Sequence, residues 1–247
     1  MKENKYDDKL FFEKYAGMKR SVEGLDGAGE WETLKSLLPD FRGKRLLDLG
    51  CGYGWHCIYA MEQGAASATG IDISEKMLAV AREKTHYPQV TYKRMALEEM
   101  DFPAGSFDIV LSSLALHYVK SFGNVAKRVN RFLSDGGYFV FSAEHPVFTA
   151  EGSQDWYRND TGKILHFPVD NYFCEGLRHA RFLGEEVVKY HKTLTTYIDG
   201  LLTNGFELLR LVEPQPPEKM LDIEGMRDEM RRPMMLIVAA RKKSGGR

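Results

Sequence analysis

The sequence is short of cysteine and of any surplus charge. Its 247 residues include three cysteines, Cys51, Cys57 and Cys174. An odd, sparse set makes no disulfide framework, and without a Cys-x-x-Cys pair it makes no zinc cluster. A reducing, cytoplasmic setting is the expectation. Lys plus Arg number 34 and Asp plus Glu 35, for a formal net charge of −1. The basic excess usual in nucleic-acid enzymes is therefore missing, and nucleic acid is not expected as a partner. The basic run Arg241-Lys242-Lys243 reads as a solvated tail. No apolar run approaches the roughly 18 residues of a membrane span, and Met1–Asp8 has no apolar signal core. His56, His86, His166 and His179 lack ligand-like spacing, so no metal is expected.

What is present is an apolar complement large enough for one sizeable core, with 43% hydrophobic and 12% aromatic residues. The chain reads as a single domain over 1–247. Residues 1–40 form an N-terminal helical cap, with Phe11, Phe12, Tyr15 and Met18 at helical spacing. Short strands then alternate with helices. Arg45–Leu49 precedes a helix over 54–63, Ala68–Asp72 one capped by Ser74, and Val90–Arg94 and Phe107–Leu111 follow. A helix over 121–133 leads through Gly136-Gly137 into Tyr138–Ser142. This rhythm predicts an α/β fold with helices on both faces of a doubly wound sheet. After it comes an insertion on the substrate side, 147–190, with a hairpin turning near Leu183-Gly184-Glu185. A helix over 193–203, a strand Phe206–Val212 and a strand Met234–Ala240 close the chain. The last two strands have no long crossover between them and predict an antiparallel pair at the sheet edge. The sheet edges and the insertion are each available as the interface of a homodimer.

The strongest local signal is Leu46-Leu47-Asp48-Leu49-Gly50-Cys51-Gly52-Tyr53-Gly54, where the first strand turns into a helix. Glycines there allow a tight turn and a close backbone approach to a ligand, and the helix N-terminus offers unpaired N–H groups. The spacing is Gly-x-Gly-x-Gly, not the Gly-x-Gly-x-x-Gly of dinucleotide enzymes. Asp72 ends the second strand, where a carboxylate can accept from both hydroxyls of a ribose. The plainer reading of Asp72 is a cap for the next helix.

These residues, with Gly70-Ile71-Asp72-Ile73-Ser74, Phe107-Asp108-Ile109-Val110 and Leu133-x-x-Gly136-Gly137, resemble the class I S-adenosylmethionine-dependent methyltransferases, specifically the type 11 group. Gly24-Leu25-x-Gly27-Ala28-x-Glu30-Trp31, His191-x-Thr193, Gly205-Phe206 and Glu213-Pro214 resemble one bacterial subgroup. The resemblance spans nearly the whole chain. It implies a Rossmann-like seven-stranded sheet, mostly parallel with the last strand antiparallel, and S-adenosylmethionine as cofactor. It implies that Gly50, Cys51 and Gly52 approach the methionine part and that Asp48 organises its amino end. Asp72 would hold the ribose, with Ile73 and Met77 beside the adenine and Ala96, Leu97 and Glu98 contacting it through backbone. Ser113 would flank the methionine part, Tyr15 would fold over the cofactor, and Arg20 would meet its carboxylate. Packing and solvent exposure are the plainer roles for Tyr15 and Arg20.

Methyl transfer from a sulfonium is an in-line displacement, so the protein mainly aligns the acceptor and excludes water. A base is needed only for a protonated acceptor. Three histidines are candidates: His117 after the fourth strand, His145 after the fifth, and His191 at the exit of the insertion. The resemblance favours His145 and His191. Cys51 reads as a small buried residue, not a nucleophile. Trp156, Tyr157, Phe167, Tyr172 and Phe173 suit either an acceptor pocket or a satellite core. A small-molecule acceptor is the leading expectation. Methylation of RNA or protein is an alternative, weakened by Ser112-Ser113-Leu114-Ala115 standing where amino-methylating nucleic-acid enzymes place Asn/Asp-Pro-Pro-aromatic. A non-catalytic cofactor-binding module is another. A nicotinamide dehydrogenase is disfavoured by the glycine spacing and by the lack of a Tyr-x-x-x-Lys pair.

Overall fold

Leu46, Leu47 and Leu49 are wholly buried and belong to both apolar layers of the molecule, the mark of a central parallel strand covered on both faces. In the computed structural model, which describes residues 4–245, that strand is β1 (Arg45–Leu49). The N-terminal part holds α1 (Lys9–Ala16), α2 (Lys19–Val22) and α3 (Trp31–Ser36). After β1 come α4 (Trp55–Glu62), β2 (Ser67–Asp72), α5 (Glu75–Lys84), β3 (Val90–Arg94), β4 (Phe107–Ser113), α6 (Phe122–Phe132) and β5 (Leu133–Glu144). The insertion carries α7 (Pro146–Ala150), β6 (Tyr157–Arg158), β7 (Ile164–His166), β8 (Gly176–Phe182) and β9 (Glu185–His191). The chain then adds α8 (Leu194–Leu202), β10 (Phe206–Val212), α9 (Met226–Glu229) and β11 (Met235–Lys242). The ends of the expected 1–247 domain, residues 1–3 and 246–247, lie outside the described residues.

Seven strands form one sheet in the order β10-β11-β5-β4-β1-β2-β3. Neighbours from β5 to β3 are parallel, and β11 runs antiparallel to both β5 and β10. This is the Rossmann-like sheet expected. The order reverses between β1 and β4, so a crevice opens beyond their carboxyl ends. The largest core, on the side of α6 and α8, gathers Phe122, Val125, Val129, Phe132, Phe139 and Tyr197; the other gathers Trp31, Leu34, Cys57, Ala60 and Leu78. α6 fits its layer because its apolar residues recur at 122, 125, 126 and 129, one stripe of a helix.

A small third core sits apart from the sheet. Phe11 of α1 is fully buried against Ala180 of β8 and Val187 of β9, with its ring 5.9 Å from that of Phe182. Lys14 Nζ, on the same helix, lies 3.0 Å from Glu185 Oε1. The N-terminal helices and the β8–β9 hairpin are thereby joined into one roof above the carboxyl ends of the strands. Asp7 fixes the front of that roof: its carboxylate accepts from the Ser74 hydroxyl at 2.6 Å and from Lys76 N at 3.2 Å. Among the described residues no helix is long and apolar enough to cross a membrane.

Candidate active site

The glycine turn is shaped by its backbone. Gly50, Gly52 and Gly54 have φ of 73°, 52° and 76°, a region costly for side chains with a Cβ. Gly50 and Cys51 both donate to Ile71 O, at 2.8 and 3.0 Å, tying the turn to β2. A Cβ on Gly50 would stand 2.5 Å from that of Ala115, and one on Gly54 would stand 2.1 Å from the Tyr92 hydroxyl oxygen. A Cβ on Gly52 would meet nothing within 4 Å. Gly50 and Gly54 are thus required by the fold, whereas the space over Gly52 is free for a ligand.

Asp72 completes the rim. Its Oδ2 accepts from Gly52 N and its Oδ1 from Ser74 N, both at 2.9 Å. The expected cap and the expected ribose acceptor are compatible, because a carboxylate has about four lone-pair sites and two are taken. Burial raises its pKa, against the pull of the backbone donors. Ser74 itself caps α5 through Met77 N.

Beyond the strand ends lies a cavity of about 310 Å³. Every expected cofactor residue except Asp48 lines it: Tyr15, Arg20, Gly50, Cys51, Gly52, Asp72, Ile73, Met77, Ala96, Leu97, Glu98 and Ser113. Asp48 is buried behind the turn. Its Oδ2 lies 3.8 Å from Cys57 Sγ and 3.9 Å from His56 Nδ1, and its Oδ1 has no partner. Burial, with the charge of Asp72 beside it, pushes the Asp48 carboxyl up to about 8, and burial drives His56 down to about 3. Burial also holds the Cys51 thiol well above its ordinary range, so it stays protonated. Arg20 is paired with the buried Glu30. Tyr15 packs edge-on between Tyr6 and Tyr53. At the end of β4, Leu114 takes φ 51° and donates its N–H to Ser142 O at 3.0 Å.

The three candidate bases part company here. His117 sits in a short 3-10 turn (Leu116–Tyr118), buried, with Nδ1 lacking a partner, and it lines the cavity. Burial drives its imidazole down to about 4. His145 does not line the cavity. Its Nδ1 accepts from Val147 N at 3.0 Å, capping α7, and Nε2 lies 2.9 Å from Glu213 Oε1. His191 is also away from it. Nε2 donates to Tyr172 O and Nδ1 accepts from the Thr149 hydroxyl, each at 2.8 Å. Since the carbonyl can only accept, this tautomer leaves His191 no lone pair for a substrate. The preference for His145 and His191 is corrected by where their rings point.

Sequence reasoning missed a polar cluster on the cavity wall. Glu144 ends β5 and Lys189 lies in β9; both line the cavity. Lys189 Nζ donates to Glu144 Oε1 at 2.6 Å and to Gln154 Oε1 at 2.9 Å, and Gln154 Nε2 donates to Glu144 Oε2 at 2.8 Å. Burial would raise the Glu144 carboxyl, but His117 and Lys189 outweigh it and hold it below its ordinary value. The signal for Lys189 was its place in Val187-x-Lys189-x-His191, a charge on the inward face of an alternating strand. Trp156, Tyr157, Phe167, Tyr172 and Phe173 do not line the cavity. Phe148, Trp156 and Phe167 instead enclose the Arg232 guanidinium, 4.5, 5.0 and 4.7 Å from their ring centres.

The donor set suits S-adenosylmethionine. A carboxylate rim at Asp72 suits vicinal hydroxyls. Apolar Ile73, Met77 and Leu97 suit a purine, the open Gly52 suits a close approach, and the Arg20 guanidinium lines the same cavity. The residues fit the group.

Comparison with known proteins agrees. Residues 47–141 match a family described as a methyltransferase domain. A Haemophilus influenzae protein is 33% identical over 245 residues, covering 96% of each chain. A Listeria monocytogenes protein assigned to the S-adenosylmethionine-dependent methyltransferases shares 53% identity, with a TM-score of 0.82, over 87% of this chain and 99% of its own. A Mesorhizobium loti S-adenosylmethionine-dependent methyltransferase shares 41% identity, with a TM-score of 0.82, over 89% of this chain and 100% of its own.

Proposed function

The chain belongs to the class I S-adenosylmethionine-dependent methyltransferases, with S-adenosylmethionine as its cofactor, and from that premise we propose that it methylates a small molecule held beneath its roof. The observation that carries this reading is one cavity with two ends. The glycine turn and Asp72 stand at one end, and His117, Glu144 and Lys189 at the other, under the joined N-terminal helices and β8–β9 hairpin. A macromolecular acceptor needs an open groove beside the methyl group, whereas the Phe11 core and the Lys14–Glu185 pair close this side. The balanced charge favours the same conclusion.

When bound, the cofactor supplies a methyl group on a good leaving group. Asp72 holds the ribose hydroxyls through its two unused lone-pair sites, and Ile73, Met77 and Leu97 pack the adenine, with the backbone of Ala96 and Glu98 at its edge. Gly50, Cys51 and Gly52 let the methionine part lie against the main chain, Ser113 flanks it, and Arg20 meets its carboxylate. Tyr15 covers it from the roof and keeps water out. Asp48 supports the turn from behind. His117, neutral at physiological pH, is the group placed to take an acceptor proton at Nδ1.

Tritium from methyl-labelled S-adenosylmethionine, incubated with the protein and a bacterial extract, tests this. Label is expected in the dialysable fraction, resistant to ribonuclease and protease. Label confined to RNA or to protein overturns the small-molecule reading.

A further inference from the structure

Glu144, His117 and Lys189 belong to three segments remote in sequence, yet they share one wall of the cavity. Glu144 ends β5, three strand positions from Asp72 at the end of β2, about 14 Å at the usual strand spacing. Phe182, Met234, Met235 and the ring of Tyr118 add apolar surface to the cavity.

The unused hydrogen-bonding capacity of this wall is specific. The Lys189 ammonium has three N–H donors, and two go to Glu144 and Gln154. Gln154 closes the ring by donating to Glu144. One ammonium N–H remains, beside the Phe182 ring, and His117 Nδ1, itself buried, has no partner. We propose that this end of the cavity receives an acceptor of the phenol or enol class, that Lys189 donates to its hydroxyl oxygen while His117 Nδ1 faces its proton, and that this oxygen is the atom methylated. The proposal rests on the small-molecule reading above and deepens it.

A hydroxyl both donates and accepts, as this pair of groups demands. A carboxylate brings no proton to His117. An amine builds positive charge on nitrogen as it is alkylated, next to the Lys189 ammonium in a dry site, where like charges are costly. An oxygen acceptor builds negative charge as its proton leaves, and the ammonium favours that. In the balanced step the oxygen bonds to the methyl carbon while the carbon–sulfur bond breaks, its electron pair returning to sulfur. The hydroxyl proton passes to His117 Nδ1 and from there to solvent. The apolar surface suits the planar body of such an acceptor.

The test uses the full chain saturated with S-adenosylhomocysteine and titrated with 4-nitrophenol, 4-nitroaniline and 4-nitrobenzoate, three probes alike in shape. 4-Nitrophenol is expected to bind about tenfold more tightly than the other two, the scale of one charge-assisted hydrogen bond, with its absorption shifted toward the phenolate band. In Lys189→Met the shift and the preference disappear while S-adenosylhomocysteine affinity stays within about twofold. Because removing one partner strands the other charge, the neutral pair Glu144→Gln/Lys189→Met is measured beside it and gives the same loss. His117→Asn keeps the preference but abolishes methylation of 4-nitrophenol. Equal or tighter binding of the aniline or benzoate, a shift that survives in both Lys189 variants, or no binding by any probe overturns the proposal. Tritium found only in RNA or protein counts instead against the small-molecule reading, so the two failures are told apart.

Discussion

The two ends of the cavity are built on different plans. The cofactor end is made largely of backbone: the Gly50–Gly54 turn, the N–H groups of Gly52 and Ser74, and the strand ends, with Asp72 as the central side chain. The acceptor end is made of side chains that meet from four places, at 117, 144, 154 and 189. A backbone site is fixed by the fold and suits a ligand that never changes. A side-chain site can be rewritten without disturbing the sheet, which is how one fold serves many acceptors.

The sharpest way to break this contrast is at Asp72. Its replacement by Ala removes the acceptor for two ribose hydroxyls, each worth about 1.5 kcal/mol or more as a bond to a charged group. Affinity for S-adenosylhomocysteine is expected to fall by roughly 100-fold in calorimetric titration. Lys189→Met, at the other end, leaves that affinity nearly unchanged. Comparable losses in the two variants would show that the ends are not separable.

A second comparison lies within the turn. Gly54→Ala drives a Cβ to 2.1 Å from the Tyr92 hydroxyl oxygen at a φ suited to glycine; overpacking and backbone strain together cost about 2–4 kcal/mol of stability. Gly52→Ala has open space around its Cβ and costs about 1–2 kcal/mol, from backbone strain alone. Yet Gly52→Ala is the variant expected to lose cofactor binding, because the space it fills is the ligand's. Thermal unfolding with and without S-adenosylhomocysteine separates the two. A Gly52→Ala protein still stabilised by the ligand as much as the parent would remove Gly52 from the site.

The same division governs what the sequence discloses. β10 occupies Phe206–Val212 as expected, and Ser74 caps α5 as expected. These are local signals, read within a few residues. β5 runs longer than expected, from Leu133 to Glu144. It carries Gly136-Gly137 inside the strand, where the register with β4 shifts between Phe107 and Ile109. α7 escapes periodicity because it has five residues and opens on Pro146, capped by His145. The glycine turn is legible because its geometry demands glycine. The acceptor wall is not, because a histidine's segment does not disclose where its ring points. His145 and His191 stand in the expected segments, yet both rings serve the insertion, while Glu144, next to His145 in the chain, faces the cavity. Only tertiary structure brings Gln154 to Glu144 and Lys189.

The smallest expected effect is on pH stability, where buried histidines and a buried carboxyl act with opposite sign. Burial drives His117 at the acceptor end to about 4 and His56 to about 3, whereas an unfolded histidine titrates near 6.5. Below that value the unfolded chain binds protons that the folded chain refuses. Their contribution is therefore whole above about pH 6.5 and is lost as pH falls toward 4. Asp48, behind the glycine turn, behaves oppositely. Burial and Asp72 raise it to about 8, so its contribution is whole below the unfolded value near 4 and is lost as pH rises toward 8. Urea midpoints at pH 5.5, 6.5 and 7.5 measure both limbs. His117→Gln is expected to flatten the acid limb by about 1 kcal/mol between pH 6.5 and 5.5, since one proton per pH unit is worth about 1.4 kcal/mol, while Asp48→Asn removes a loss of stability with rising pH that runs across all three pH values. An acid limb identical in His117→Gln and the parent would mean that the His117 ring is already hydrated in the folded protein. It would then be unfit to hold an acceptor in a dry site.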